Sequence, residues 1–207
     1  NPALRRARGV YGLTVDVGRR LRSLTSIDVG PGYPAGSGLS ERLQLAAILL
    51  ASGLGTQIVT IDWGSFDTHG DQLNAQDPQL AVLSQALAAF QDDLAARGVA
   101  DEVLTVVFSE FGRRLPENGS GGTDHGDGAM FLVAGTQVRG GLAGEFPGLR
   151  GNALDGDGDM RGKDDFRTIY HAIATEWLGV DPGPLLPGFT SPGLDRYSGP
   201  NTLLKAA

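Results

Sequence analysis

The chain has no cysteine among its 207 residues. That excludes disulfide frameworks and thiolate metal sites, so any metal must be held by oxygen and imidazole. Lysine is nearly missing too: Lys163 and Lys205 stand alone, and the remaining bases are arginine. Long hydrophobic runs are lacking. The most apolar stretch, Leu43 to Leu54, falls short of the roughly 20 residues of a membrane helix, so no membrane span is expected. Arg6–Ser26 holds no apolar core of the roughly 7–15 residues that an export signal carries. Asn1 in place of Met points either to processing or to a longer parent chain. Positive charge is also scarce. The net charge is −7; six arginines and one acid give residues 1–22 a charge of +5, which leaves −12 on the rest. Phosphate neutralisation needs a positive face, so the acidic body argues against general nucleic-acid binding, and no nucleic-acid partner is expected. The basic end reads either as a solvated helix face or as a contact for an acidic partner.

What is present is globular. Apolar residues make up 41% and charged residues 20% of a chain long enough to bury a core. Glycine (32) and proline (11) predict many loops. Residues 1–38 read as a peripheral, glycine-broken helix over 1–24 and a Gly/Pro loop, and residues 180–207 as a wrapping tail. Ser40 is placed to cap a helix running to about Ser52, with Leu43, Ala46, Ala47 and Leu50 on one face and Gly53 and Gly55 ending it. The strongest helical pattern runs from Pro78 to Arg97, where Leu80, Leu83, Leu87, Phe90 and Leu94 recur at helical steps before Gly98. A last helix is predicted over Asp164–Leu178, with Phe166, Ile169, Tyr170, Ile173 and Trp177 inward.

Three short apolar runs read as buried strands: Gln57–Ile61, Val103–Phe108 and Ala129–Val133. They do not alternate, which predicts an α/β fold with a mostly parallel, doubly wound sheet and helices on both faces. In such sheets ligands sit beyond the carboxyl ends of strands. The chemistry-bearing residues cluster there in sequence. Asp67-Thr68-His69-Gly70 follows the first run, Glu110 the second, and Thr123-Asp124-His125-Gly126 precedes the third. In extended backbone, residues i and i+2 face the same way, so Asp67 and His69 could grip one ion. Neighbours face apart, so Asp124 and His125 serve two ions, or one ion and one supporting contact. Such oxygen and nitrogen donors suit zinc, manganese, magnesium or calcium. Asp-x-His also forms ordinary turns, and that alternative stays open. Asp62 is either a ligand or a helix-cap acceptor. Arg113 and Arg114 either hold a phosphate or sulfate group or pair with Glu110 or Glu117. Asp155, Asp157 and Asp159 fail the EF-hand pattern, since Met160 and Phe166 stand where glycine and glutamate are required. His171, beside Tyr170, reads as a packed histidine. No nucleophile elbow or phosphate-binding glycine loop stands in a convincing context.

The run Phe66-Asp67-Thr68-His69, the Ala89-Phe90 to Asp93-Leu94 helix pattern, Ser109-Glu110-Phe111-Gly112-Arg113, Glu117-Asn118 and Gly122-Thr123-Asp124-His125-Gly126 together resemble one bacterial family, domain of unknown function 1501. Gly140-Gly141, Gly144, Asp165-Phe166-Arg167, Tyr170 and Trp177-Leu178-Gly179 fit as well, so that the resemblance spans roughly residues 40–180. It implies membership of the alkaline phosphatase and sulfatase superfamily, a single α/β domain of that type, and export, often by the twin-arginine route. It further implies a site of divalent metal ions held by Asp67, His69, Glu110, Asp124 and His125, with Arg113 as an anion contact in catalysis and a small anionic ester as substrate. Two ions about 4 Å apart would activate a nucleophile and stabilise the leaving oxygen. Two features depart from the superfamily pattern. Glu110-Phe111 stands where an Asp-His pair is usual, and the part expected to bring the first metal-binding aspartate and the nucleophile would precede Asn1. The expected function is hydrolysis of phosphate or sulfate esters; the alternative is a cell-envelope binding or assembly protein that kept the fold without turnover.

Overall fold

A computed structural model describes residues 32–194 and 201–205, with positions 6, 11, 18 and 19. The helix expected over residues 1–24, apart from positions 6, 11, 18 and 19, lies outside the described residues, as do residues 29–31 of the Gly/Pro loop expected over 29–38. Contacts divide the chain into two compact units, one formed by Asn1–Ser65 and Asp77–Ala100, the other by Phe66–Gln76 and Asp101–Ala207.

In the first unit, helix α1 spans Gly38–Ala51. Its cap is Ser37 rather than Ser40: the Ser37 side chain accepts from Ser40 N at 3.5 Å, while Ser40 is buried and donates to the Pro34 carbonyl. Leu39, Leu43, Ala46 and Ala47 are buried at helical spacing. Gly53 and Gly55, both at positive φ, end the helix. The segment 57–61 does not behave as a buried strand. It has no ladder partner among the described residues, and Ile58 is 78% exposed. An apolar β-branched run becomes a strand only when a neighbour accepts its backbone hydrogen bonds, and none of the described residues does so.

Helix α2 spans Gln72–Ala96, six residues longer at its start than the pattern beginning at Pro78. Ala86, Ala89, Phe90 and Leu94 are its buried residues. Its end is a Schellman turn, in which Gly98 N bonds Ala95 O and Val99 N bonds Leu94 O, both at 3.0 Å, with Gly98 at φ +74°.

In the second unit, strand β1 (Thr105–Val107) pairs antiparallel with β4 (Leu132–Ala134), with Val106 opposite Val133. Strand β2 (Gly112–Arg113) pairs antiparallel with β3 (His125–Gly126), with Arg113 opposite His125. These are two separate two-stranded sheets, and no parallel ladder occurs among the described residues. Helix α3 (Arg167–Ala172) widens into a π-helical turn over Ile173–Trp177. Ile169 and Ile173 join Leu104, Val133 and Leu204 around buried Ala172, Leu194 and Leu203, whereas Phe166, at the N-cap, is 58% exposed. Of the expected tail, residues 201–205 run beside 137–139, with Arg139 N bonded to Leu203 O and Lys205 N to Gln137 O, both at 2.9 Å. Glu176 also holds them by accepting from Leu203 N and Leu204 N.

Candidate metal centre

Asp67 and His69 lie on the segment leading into α2, and His125 opens β3. Backbone stitching brings these distant pieces together. Asp71 N bonds Ser120 O at 3.1 Å, Gln72 N bonds Gly121 O at 2.9 Å, and Thr123 N bonds Thr68 O at 3.4 Å. Gly122 is required at the crossing: a Cβ there would overlap the peptide between His69 and Gly70. The same contacts carry the first turn of α2, which is why the helix begins well before Pro78.

One carboxylate oxygen of Asp67 and one ring nitrogen each of His69 and His125 lie within 4.8 Å of one another. Asp67 Oδ1 is 3.0 Å from His69 Nε2 and 2.7 Å from His125 Nε2. All three side chains are about half exposed, so solvent reaches the cluster. The adjacent residue Asp124 plays a different part: its Oδ1 meets the other nitrogen of His69, Nδ1, at 3.0 Å. His69 therefore faces a carboxylate oxygen from each ring nitrogen. A neutral imidazole that donates from Nδ1 to Asp124 leaves its Nε2 lone pair on the side of Asp67 and His125. A carboxylate with two imidazoles is also the donor set of a three-ligand zinc site that keeps an open position. The residues present fit a borderline divalent ion.

The carboxyls of the cluster are held low by donors and charges of the chain itself. The hydrogen bond from His125 holds the Asp67 carboxyl below the usual carboxylate range; burial pushes the other way, and the charges of His69 and His125 and a hydrogen bond from Arg113 lower it further. Asp124 is held low first by its hydrogen bond with His69 and then by that with Asn118.

The other expected site residues are placed differently. Glu110 is exposed beyond the end of β1 and is not one of the grouped residues. Arg113 is mostly buried and turned toward the protein. Its Nη1 donates to Thr123 O at 2.7 Å, and its Nη2 donates to Phe66 O and lies 3.3 Å from Asp67 Oδ1. Arg114 reaches Asp159 Oδ2 at 3.3 Å. Asp155 closes its own loop by accepting from Asp157 N and Asp159 N, each at 2.9 Å. Asp62 belongs to the first unit, where its carbonyl accepts from Arg42. His171 is half-buried, with its ring edge-on to Phe189.

Two residues that sequence reasoning did not assign to the site belong to it. Phe111 stacks on the His125 ring with centroids 3.8 Å apart and planes 9° apart, and the Arg113 guanidinium lies 4.9 Å above the other ring, that of Phe111. Asn118 bonds both arms of the cluster. Its signals in the sequence are its place in the Glu117-Asn118 motif and its position before Gly119-Ser120-Gly121-Gly122, as a turn-forming asparagine.

A family model described as protein of unknown function (DUF1501) matches residues 33–180. No curated protein and no solved structure matches the chain.

Proposed function

We propose that this chain, which belongs to the DUF1501 family, is a metal-dependent hydrolase of phosphate or sulfate esters. The reading takes in an exported protein with an alkaline phosphatase-like, doubly wound α/β fold, to which the order of the sequence motifs lends support. One observation carries it: ligand atoms of Asp67, His69 and His125, from segments up to 58 positions apart, converge within 4.8 Å. A divalent ion bound there supplies Lewis acidity toward an ester oxygen.

The chain's own residues have separable tasks in this proposal. Asp67, His69 and His125 bind the ion. Asp124 accepts from His69 Nδ1 and so keeps the Nε2 lone pair directed at the ion. Phe111 fixes the plane of the His125 ring. Arg113 holds the Asp67 carboxylate and the carbonyls of Phe66 and Thr123 in place. Glu110 stays outside the ligand set. The inward commitment of Arg113 favours the second reading, a non-catalytic envelope binding or assembly protein, because the cation expected to hold an anionic ester is engaged elsewhere.

Elemental analysis and turnover test both readings. Wild-type protein is expected to retain zinc or manganese, His69→Ala and His125→Ala to lose it, and Glu110→Ala to keep it. Metal at 100 times its dissociation constant should stabilise the wild type by about 2.7 kcal/mol, and chelator should remove that gain. Unchanged metal content in both histidine variants ends the metal-centre reading. Metal-dependent cleavage of aryl phosphates or sulfates by the wild type alone decides for the hydrolase; metal uptake without cleavage decides for the binding protein.

A further inference from the structure

A primary amide offers two N–H donors and an oxygen with two acceptor sites. In Asn118 all of them are engaged. Its Oδ1 accepts from Ser120 N at 2.9 Å and from Gly122 N at 3.2 Å, which shapes the turn that presses Gly122 onto the His69 backbone. Its Nδ2 donates to the His69 carbonyl at 2.9 Å and to Asp124 Oδ1 at 3.2 Å. The same Asp124 oxygen meets His69 Nδ1. One amide thus grips the main chain of His69 and, separately, the carboxylate that orients the ring of His69.

We infer that Asn118 is a positioning residue for the metal centre, joining the backbone of His69 to the carboxylate behind its ring so that Nε2 points at the bound ion. The assignment rests on the metal-centre reading of Asp67, His69 and His125. It explains why an asparagine is suited to this loop position. Aspartate would supply the turn acceptor but set a second carboxylate against Asp124 and the His69 carbonyl. Serine would supply a hydroxyl for the turn but no group that reaches both arms. Asn118 is bonded to the His69 carbonyl and to the Asp124 carboxylate without being a ligand, so its effect on the ion passes through the placement of His69.

The test compares full-length wild type, Asn118→Asp and Asn118→Ser, using Zn2+ for affinity and Co2+ as a spectroscopic probe of coordination. Metal-free melting establishes that each variant folds. The expected result is apo melting close to wild type, a Zn2+ dissociation constant raised about 10–100-fold, and a Co2+ visible spectrum altered in band position and intensity. A folded variant with wild-type Zn2+ affinity and wild-type Co2+ spectrum overturns the assignment while leaving the metal-centre reading intact. Failure of both variants to fold without metal also overturns it, since Asn118 would then serve the fold rather than the site. If the wild type takes up neither ion, the metal-centre reading fails, and this assignment with it.

Discussion

Asp67 meets two imidazoles and a guanidinium through a single oxygen, and Asp124 meets an imidazole and an amide in the same way. Both carboxyls are therefore held below their ordinary value of 3.8. A carboxylate whose folded pKa is depressed adds stability above its unfolded pKa and loses it as the pH falls through the folded one. In metal-free protein, the urea midpoint should then decline as the pH is lowered below about 4, and Asp67→Asn and Asp124→Asn should each flatten that decline. Carboxyl-carbon titration by NMR should place both midpoints under 3.8, the ordinary value. At this scale the sequence exposes residue types and local spacing, such as the i, i+2 relation of Asp67 and His69. It does not expose which neighbour a side chain will meet. Phe111 reads as the place of an absent ligand, whereas in the structure it is the wall against which His125 stacks. Arg113 reads as an anion contact; in the structure its Nη1 donates to Thr123 O and its Nη2 to Phe66 O.

Among the elements, α2 is the most legible, because its apolar steps and terminal glycine are local signals. Even here the stripe is not uniform. Leu94 is fully buried and Leu80 is 49% exposed, although both fit the same helical period. Leu94→Ala should cost about 2–5 kcal/mol through the cavity it leaves. Leu80→Ala should stay within about 0.5 kcal/mol of wild type. Urea denaturation with comparable slopes measures both. The start of α2 is less legible than its end. Pro78 lacks an N–H to continue the helical ladder, so the sequence suggests a beginning there. Tertiary hydrogen bonds from Asp71 N and Gln72 N extend the helix upstream regardless. Strand direction is less legible still. β1 falls inside the expected Val103–Phe108 run and β4 overlaps the third run, yet their pairing is antiparallel. Composition marks a segment as strand-forming; its partner and orientation are decided by residues far away in sequence.

The whole molecule is organised as two compact units, and in the second the C-terminal segment contributes to the core itself. Leu203 is 3% exposed, and its amide and that of Leu204 end on Glu176 Oε2 at 2.8 and 3.0 Å. Glu176→Ala should therefore cost about 1.5–3 kcal/mol, the range for hydrogen bonds to a charged group. Hydrogen exchange should show the Leu203 and Leu204 amides opening faster, with the β2–β3 hairpin unaffected. A Pro/Gly-rich composition described this tail only as a wrapping segment, since turn residues reveal where a chain bends and not what it bends against. By itself the sequence determined the absence of thiol chemistry, the acidic body, the positions of α1 and α2, and the stock of aspartate and histidine from which a metal centre could be drawn. All of these are set by composition or by spacing within one element. Only the tertiary structure decided that Asp67, His69 and His125 share one cluster while Glu110 stands apart from it, and that Asn118 ties the cluster's two arms. The reason is physical: convergence depends on backbone crossings such as Gly122 against His69, and those arise from contacts between segments that carry no mark of each other in the sequence.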